Sequence, residues 1–257
     1  MIANYHTHTW RCHHAKDTER EYVEKAIEGG IKILGFSDHS PYPFPADYTS
    51  GIRMSMDQLE DYADTVLALR DEYQKDIEIH LGLEVEYYPE YFEALLEAAK
   101  DYPIEYFIHA QHALDNEIGA VYCGAKTPDP QILKRYTSQV KAAMDTGCFT
   151  YLAHPDLIHF TGDPAVYEQE MRDLCIYAKK HDLPLEINCL GVWESRHYPN
   201  EIFWKIVGEE GGSVVLGADA HSAAAVWMPN VVDKAEKLVQ KWNLNLLEKV
   251  ELRSPFR

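Results

Sequence analysis

Seven short apolar runs recur along the chain: IANY, IKILGFS, IEIHLGLEV, IEYFIHA, FTYLA, PLEIN and SVVLGA. The stretches between them carry helical periodicity. This alternation limits the fold more than any other feature. Runs that are apolar almost throughout have both faces buried, which a parallel sheet covered by helices provides. Helix starts fall in the intervals. Thr18 with Glu21 and Ser55 with Gln58 read as capping boxes, and Asp163 stands before Pro164 as an N-cap before a first-turn proline. The helix from about Thr18 puts Tyr22, Val23, Ala26 and Ile27 on one stripe, with Glu19, Glu24, Lys25 and Glu28 largely elsewhere, as a helix lying on a sheet requires. A length of 257 residues without a Gly/Ser-rich linker predicts a single (β/α) barrel domain spanning 1–257. Residues 40–51 and 122–131 read as rim loops, and NLLEKVEL at 245–252 as either a last strand or a packing tail.

A closed parallel barrel gathers the segments that follow its strands at one face, so reactive residues belong at strand exits. His6 and His8 follow the first run, His39 ends SDH after the second, and Glu84 ends GLE in the third. His112 follows the fourth run, His154 the fifth in AHPD, and Asp219 and His221 the seventh in GADAH; the sixth ends in Asn188, with no obvious ligand. In HTHTWRCHH, residues 6–14, His6 and His8 are two apart and point the same way from an extended strand. Neutral imidazole suits zinc, iron or manganese, and mixed imidazole and carboxylate sets suit multinuclear hydrolytic centres. One histidine alone is more often a partly buried surface residue. Imidazole or carboxylate at six of seven strand exits is a different matter and points to a metal centre. His80 in mid-strand, His109 and the helix-end His181 read as structural, while His13 and His14 compete for one position. GxGxxG, GxxxxGK[ST] and GxSxG are all absent, which ranks nucleotide-cofactor and serine-nucleophile chemistry low.

Composition narrows the partners. The net charge of -18 repels nucleic acid and anionic lipid and favours a small or partly cationic substrate. Five scattered cysteines without a CxxC pair argue against a disulfide framework and for a reducing cytoplasm. No export signal or window of about 18 apolar residues points to a membrane. Nothing in the composition sets an oligomeric state.

Taken in order, these residues resemble the signature of the polymerase and histidinol phosphatase (PHP) superfamily of metal-dependent phosphoesterases. The matching positions are the HxH of His6 and His8, a histidine six positions on at His14, the SDH of His39, the GLE of Glu84, His112, the HPD of His154, and the DxH of Asp219 and His221. The H-T-H-T-x-x-C-x-H opening, the SDHSPYPFP loop and the EIN…YP region most resemble its histidinol-phosphatases. The resemblance implies a distorted, TIM-like (β/α)7 barrel with three divalent ions (Zn, Mn or Fe). It allots one ion to His6, His8, Glu84 and Asp219, a second to Glu84, His112 and His154, and a third to His14, His39 and His221. It implies a small phosphorylated substrate, L-histidinol phosphate above all; a sugar phosphate, a nucleotide or phosphotyrosine is the alternative within the superfamily. The chain departs from the family pattern in two places. His159 follows HPDLI where a Lys or Arg is usual, and CLGVWESRHYPN follows EIN, leaving Arg196 as the candidate phosphate-facing guanidinium.

Monoester hydrolysis needs neutralised phosphate oxygens and a nucleophile at once, and ions about 3.5 to 4 Å apart can share a hydroxide that attacks phosphorus in line. The pair sharing Glu84 is the expected place for it. Arg196 and the third ion would hold nonbridging oxygens, Asp219 could move a proton, and His221 could assist the leaving alkoxide if it were not metal-bound. Arg196, His159 and Tyr42 are the candidate substrate contacts, with Trp193 and Glu194 further contacts to the organic part. An amidohydrolase-like enzyme would commonly carry a modified lysine where Glu84 stands. A nuclease would want a basic aromatic groove, and a metal store closed ligand shells.

Overall fold

A computed structural model describes residues 1–256. All seven predicted runs are strands: β1 (Ala3–Asn4), β2 (Ile33–His39), β3 (Glu78–Val85), β4 (Tyr106–His109), β5 (Phe149–Leu152), β6 (Leu185–Asn188) and β7 (Ser213–Gly217). The principal helices between them are α1 (Glu19–Glu28), α2 (Leu59–Tyr73), α3 (Phe92–Ala99), α4 (Pro130–Thr146), α5 (Pro164–Lys180), α6 (Cys189–Glu194) and α7 (Glu201–Glu210). After β7 come α8 (Ala223–Val226), α9 (Pro229–Lys241) and a two-residue β8 (Asn245–Leu246). Every strand pairs in parallel with its sequence neighbour. This is the distorted, TIM-like barrel, with an eighth strand added.

The added strand has a simple place. At the rim that carries the strand exits, the chain beyond β1 meets the chain beyond β7: Thr7 bridges Ala220, the His8 amide donates to the Ala220 carbonyl (3.0 Å) and the Ala220 amide to that of His6 (3.3 Å). At the opposite end β8 pairs with the start of β7, Ser213 and Val214. The segment 245–252 is therefore both a strand and a tail, because Leu247, Val250 and Leu252 go on to pack against an inner cluster that includes Tyr5, Tyr106, Tyr151 and Val215. Tyr106 fits inside because Gly82 faces it; a Cβ there would lie 2.4 Å from its ring. Its hydroxyl reaches the carbonyls of Tyr5 (2.8 Å) and Phe36 (3.1 Å), tying three strands across the interior.

The helix starts follow their caps. Glu21 accepts from the Thr18 amide (2.7 Å), and Asp163 accepts from that of Ala165 (2.9 Å). Gln58 accepts from the Ser55 amide (3.0 Å), but around a single 3-10 turn, Met56–Gln58, that precedes α2. Two readings need correction. The 122–131 loop ends early, because Asp129 caps Pro130 into α4. Glu19 is buried rather than on the outer face of α1, because it holds the buried guanidinium of Arg11. Among the described residues no helix is long and apolar enough to cross a membrane.

His80 sits between Glu105 (2.9 Å) and Glu78 (2.8 Å). Burial alone would lower its pKa, but these two carboxylates raise it. A raised histidine stabilises most below its ordinary pKa of about 6.5 and loses that contribution as pH rises through the folded value. His80→Gln is therefore expected to cost stability at pH 5.5 and almost none at pH 9, read as paired melting curves. Because Glu78 is largely exposed, the effect should stay below about 1 kcal/mol. An equal loss at both pH values would show packing, not charge, at work.

Candidate metal centre

The register of β2 on β3 sets His39 beside Glu84, so the two side chains leave adjacent strand ends together. His39 Nδ1 lies 2.8 Å from Glu84 Oε2, while Glu84 Oε1 lies 3.1 Å from His6 Nε2, 3.1 Å from His154 Nε2 and 3.9 Å from His112 Nε2. Asp219 Oδ1 lies 3.1 Å from His8 Nε2 and 3.6 Å from His6 Nε2. His14 Nε2 and His221 Nε2 are 3.0 Å apart. All nine candidate ligands thus form one cluster around Glu84. The left-handed backbone of His13 (φ 68°) turns that ring out and brings His14 in, which decides between the neighbours. His14 is fixed by donating from Nδ1 to the Cys12 carbonyl (2.7 Å).

Several of these atoms are buried without a hydrogen-bond partner: His6 Nε2, His8 Nε2, His39 Nδ1 and Glu84 Oε2. They stand within ion-pair distance of one another, yet do not align as donor and acceptor. Orphaned buried polar atoms are costly, and a cation among them would satisfy them all. Among the sets that could hold an ion, with ligand atoms within 4.8 Å, are His6, His8 and Asp219; His6, Glu84 and His154; His8, His39 and Glu84; and His14, His39 and His221. His154 (φ 29°) and Asp219 (φ 50°) adopt left-handed backbone without being glycine, strain of a kind concentrated at working sites. Cys12 falls near His8 and His221, where burial and then the charge of Asp38 push its thiol up.

The charges suit cation binding. Burial would raise the carboxyls of Glu84 and Asp219, but the imidazoles around them hold both well below the carboxylate range. Burial pushes His39 down to about 4 and His221 down to about 2, whereas at His6, His8 and His112 burial is outweighed by the neighbouring carboxylates, which raise them, and a cation would take the place of ring protons.

A further set of residues, not singled out from the sequence, fixes the rings from behind. His6 Nδ1 donates to Glu186 (2.8 Å), His112 Nδ1 to Glu86 (2.9 Å), and His8 Nδ1 lies 3.4 Å from Asp38. Asn188 at the end of β6 is not idle: its amide donates to Glu186 (2.9 Å) and Asp219 (3.0 Å). Such carboxylates orient a ligating imidazole and raise its basicity. Gly217 makes room for one of them, since a Cβ there would fall 2.0 Å from Glu186 Oε2. Gly217→Ala should displace Glu186, release His6 and cut bound metal per chain severalfold with the circular-dichroism spectrum kept. Full metal in that variant would mean that Glu186 does not hold His6 in its working orientation.

The cluster opens into a cavity of about 840 Å³. Its walls include Lys16, Ile52, Glu117, Tyr122, Trp193, Glu194 and Arg196. Arg196 donates from Nη1 to the Tyr198 hydroxyl (2.7 Å) and from Nε to Glu194 (2.7 Å). Two expected substrate contacts lie elsewhere. Tyr42 is buried, donates its hydroxyl to the Glu86 carbonyl and stacks under Arg53 (5.3 Å), so it supports the site from below instead of lining it. His159 stacks on His197 (3.9 Å between ring centres) and is not among the residues lining the cavity; burial and then Lys126 lower its pKa. The second cation on the wall is Lys16, which sequence reasoning passed over.

A curled parallel sheet that brings imidazoles and two carboxylates to one cavity, in sets able to hold divalent ions, defines a metal-centred (β/α) barrel protein. Residues 4–189 match the family described as PHP domain, and the chain belongs to that family. It is 29% identical over 238 residues to the "Probable histidinol-phosphatase" of Deinococcus radiodurans, covering 88% of each chain. Over 90 residues, 34% of each chain, it is 33% identical to the histidinol-phosphatase of Bacillus subtilis. The solved histidinol phosphate phosphatase of Lactococcus lactis, complexed with zinc, L-histidinol and phosphate, superposes with a TM-score of 0.77 at 19% identity, over 99% of this chain and 97% of that one. At that identity the last likeness speaks for the fold.

Proposed function

We propose that this chain, as one domain over 1–257, is a metal-dependent phosphomonoesterase of the cytoplasm that hydrolyses L-histidinol phosphate to L-histidinol and phosphate. The observation that carries this reading is the convergence of nine candidate ligand side chains in one cluster, seven of them lining a cavity with a guanidinium, Arg196, in its wall. Relatives named histidinol-phosphatase support the choice of substrate. Five buried cysteines, scattered along the chain without a CxxC pair, agree with a reducing compartment.

Three divalent ions (Zn, Mn or Fe) would be held by His6, His8, Glu84 and Asp219, by Glu84, His112 and His154, and by His14, His39 and His221. When bound they supply the positive charge that offsets the ester's oxygens and they acidify the attacking water. Arg196 orients the phosphoryl group through paired N–H donors, held ready by the Tyr198 hydroxyl. Asp219, whose Oδ2 accepts from Asn188, would be the group that takes and returns a proton beside the ions. His6 and His8 lie beneath the cavity floor, closed off from bulk water.

The test is phosphate release from L-histidinol phosphate, a sugar phosphate, a nucleotide and phosphotyrosine, with metal measured on the same sample. A preference for histidinol phosphate by orders of magnitude in kcat/KM is expected; better cleavage of another ester would overturn the substrate. Arg196→Ala should lower kcat/KM for histidinol phosphate by about 10²-fold or more with metal content retained, since a charged transition-state donor is removed. Unchanged kinetics would reduce Arg196 to a surface partner of Glu194.

A further inference from the structure

The phosphate end of an amino-alcohol ester is anionic and its organic end carries an ammonium, so a site for it needs a carboxylate kept apart from the metal ligands. Four carboxylates line the cavity: Glu84, Asp219, Glu117 and Glu194. The first two belong to the candidate ligand set. Glu117 is nearly buried with both oxygens engaged, one by the Tyr48 hydroxyl (2.8 Å) and the other by Arg53 Nε (2.6 Å). Glu194 differs. Both contacts from Arg196, Nε at 2.7 Å and Nη2 at 2.6 Å, go to Oε2, and Oε1 has no partner among the described residues. The side chain is 44% exposed, open to the cavity it lines.

Two aromatic faces share that wall. Trp193, next in the chain, is 51% exposed and Tyr122 is 52% exposed, both large apolar groups left in contact with solvent. Tyr122, Trp193, Glu194 and Arg196 all line the same cavity, and Trp193 and Glu194 are adjacent in the chain. Ring faces beside a carboxylate favour an organic cation over a neutral group.

Resting on the phosphatase reading above, we propose that Glu194 is the residue that selects for a cationic ester: Oε1 receives the substrate's ammonium while Oε2 keeps Arg196 turned to the phosphate. One carboxylate then sets the spacing between the two ends of the substrate. It discriminates against neutral esters of the same size, which would leave Oε1 unpaired in a closed complex.

The metal-loaded enzyme and its Glu194→Gln variant, each assayed on L-histidinol phosphate and on the same ester acetylated at its amine, test this. The wild type should prefer the free amine by roughly tenfold or more, expressed mainly in KM. In Glu194→Gln that ratio should fall towards one. A ratio that survives in the variant overturns the assignment, as does an equal loss on both esters, which would mean that Glu194 acts only through Arg196. A wild type that cleaves both esters equally well overturns the assignment and leaves the phosphatase reading standing. If the wild type cleaves neither, both fall together.

Discussion

Glu84→Gln is expected to abolish turnover, by on the order of a thousandfold in kcat, and to lower bound metal by at least one ion per chain. The substitution keeps the shape of the side chain and removes its charge. Both oxygens are surrounded, Oε1 by His6 and His154 at 3.1 Å each and Oε2 by His39 at 2.8 Å, so this one carboxylate touches ligands from three other strand exits. An amide would still reach the same atoms, but its nitrogen carries hydrogens where a cation must sit. The fold should survive, because the inner cluster around Tyr106 and the outer core do not include Glu84. Metal analysis and circular dichroism on the same sample separate the outcomes. A folded variant with full metal and full rate would place the centre of the site elsewhere, whereas a folded, metal-poor and inactive one is the expected result.

The reason that Glu84 could be found from sequence also explains what could not. A parallel barrel sends every strand exit to one rim, so eight candidate ligands spread from His6 to His221 could be collected by position alone, and His14 by the resemblance, without any contact being known. Their supporting carboxylates carry no such mark. Asp38, Glu86 and Glu186 lie at or beside strand ends within apolar runs, and their partners His8, His112 and His6 are 30, 26 and 180 residues away. A weaker signal was present: Glu84 with Glu86, and Glu186 with Asn188, repeat the two-residue spacing that makes His6 and His8 face one way. Tyr42 was misplaced for a related reason. A proline-rich loop is read as exposed, and here it is drawn inward because a buried arginine, Arg53, lies just beyond it, with carboxylate partners distant in sequence. The eighth strand could only be left open between strand and tail, because two residues of pairing give too little periodicity to decide.

Arg53→Met is expected to cost about 3 to 5 kcal/mol of stability at neutral pH, the price of leaving buried carboxylates unpaired. Arg53 is 1% exposed and Glu86 fully buried. Its Nη2 donates to Glu86 Oε1 (2.9 Å), Nη1 reaches Glu86 Oε2 (3.1 Å) and the Ser40 carbonyl (2.9 Å), and Nε donates to Glu117. One side chain therefore joins the start of the 40–51 loop at Ser40, the loop of Glu117 and, through Glu86, the ring of His112. Burial would raise the Glu86 carboxyl, but Arg53 and His112 hold it well below the usual range. A lowered carboxyl stabilises above its ordinary pKa of about 4.3 and loses that contribution as pH falls towards the folded value. In the variant Glu86 instead gains from taking up a proton. The deficit relative to wild type should therefore be largest at pH 7 and narrow towards pH 4, as read by denaturant unfolding of the metal-free proteins. Glu86→Gln added to Arg53→Met should recover part of the loss, because it removes the charge that was stranded. A neutral-pH cost below about 1 kcal/mol, or a double variant no more stable than the single, would show that the loop is held by the apolar packing of Tyr42 against Phe44 and Tyr88 instead of by the buried charge.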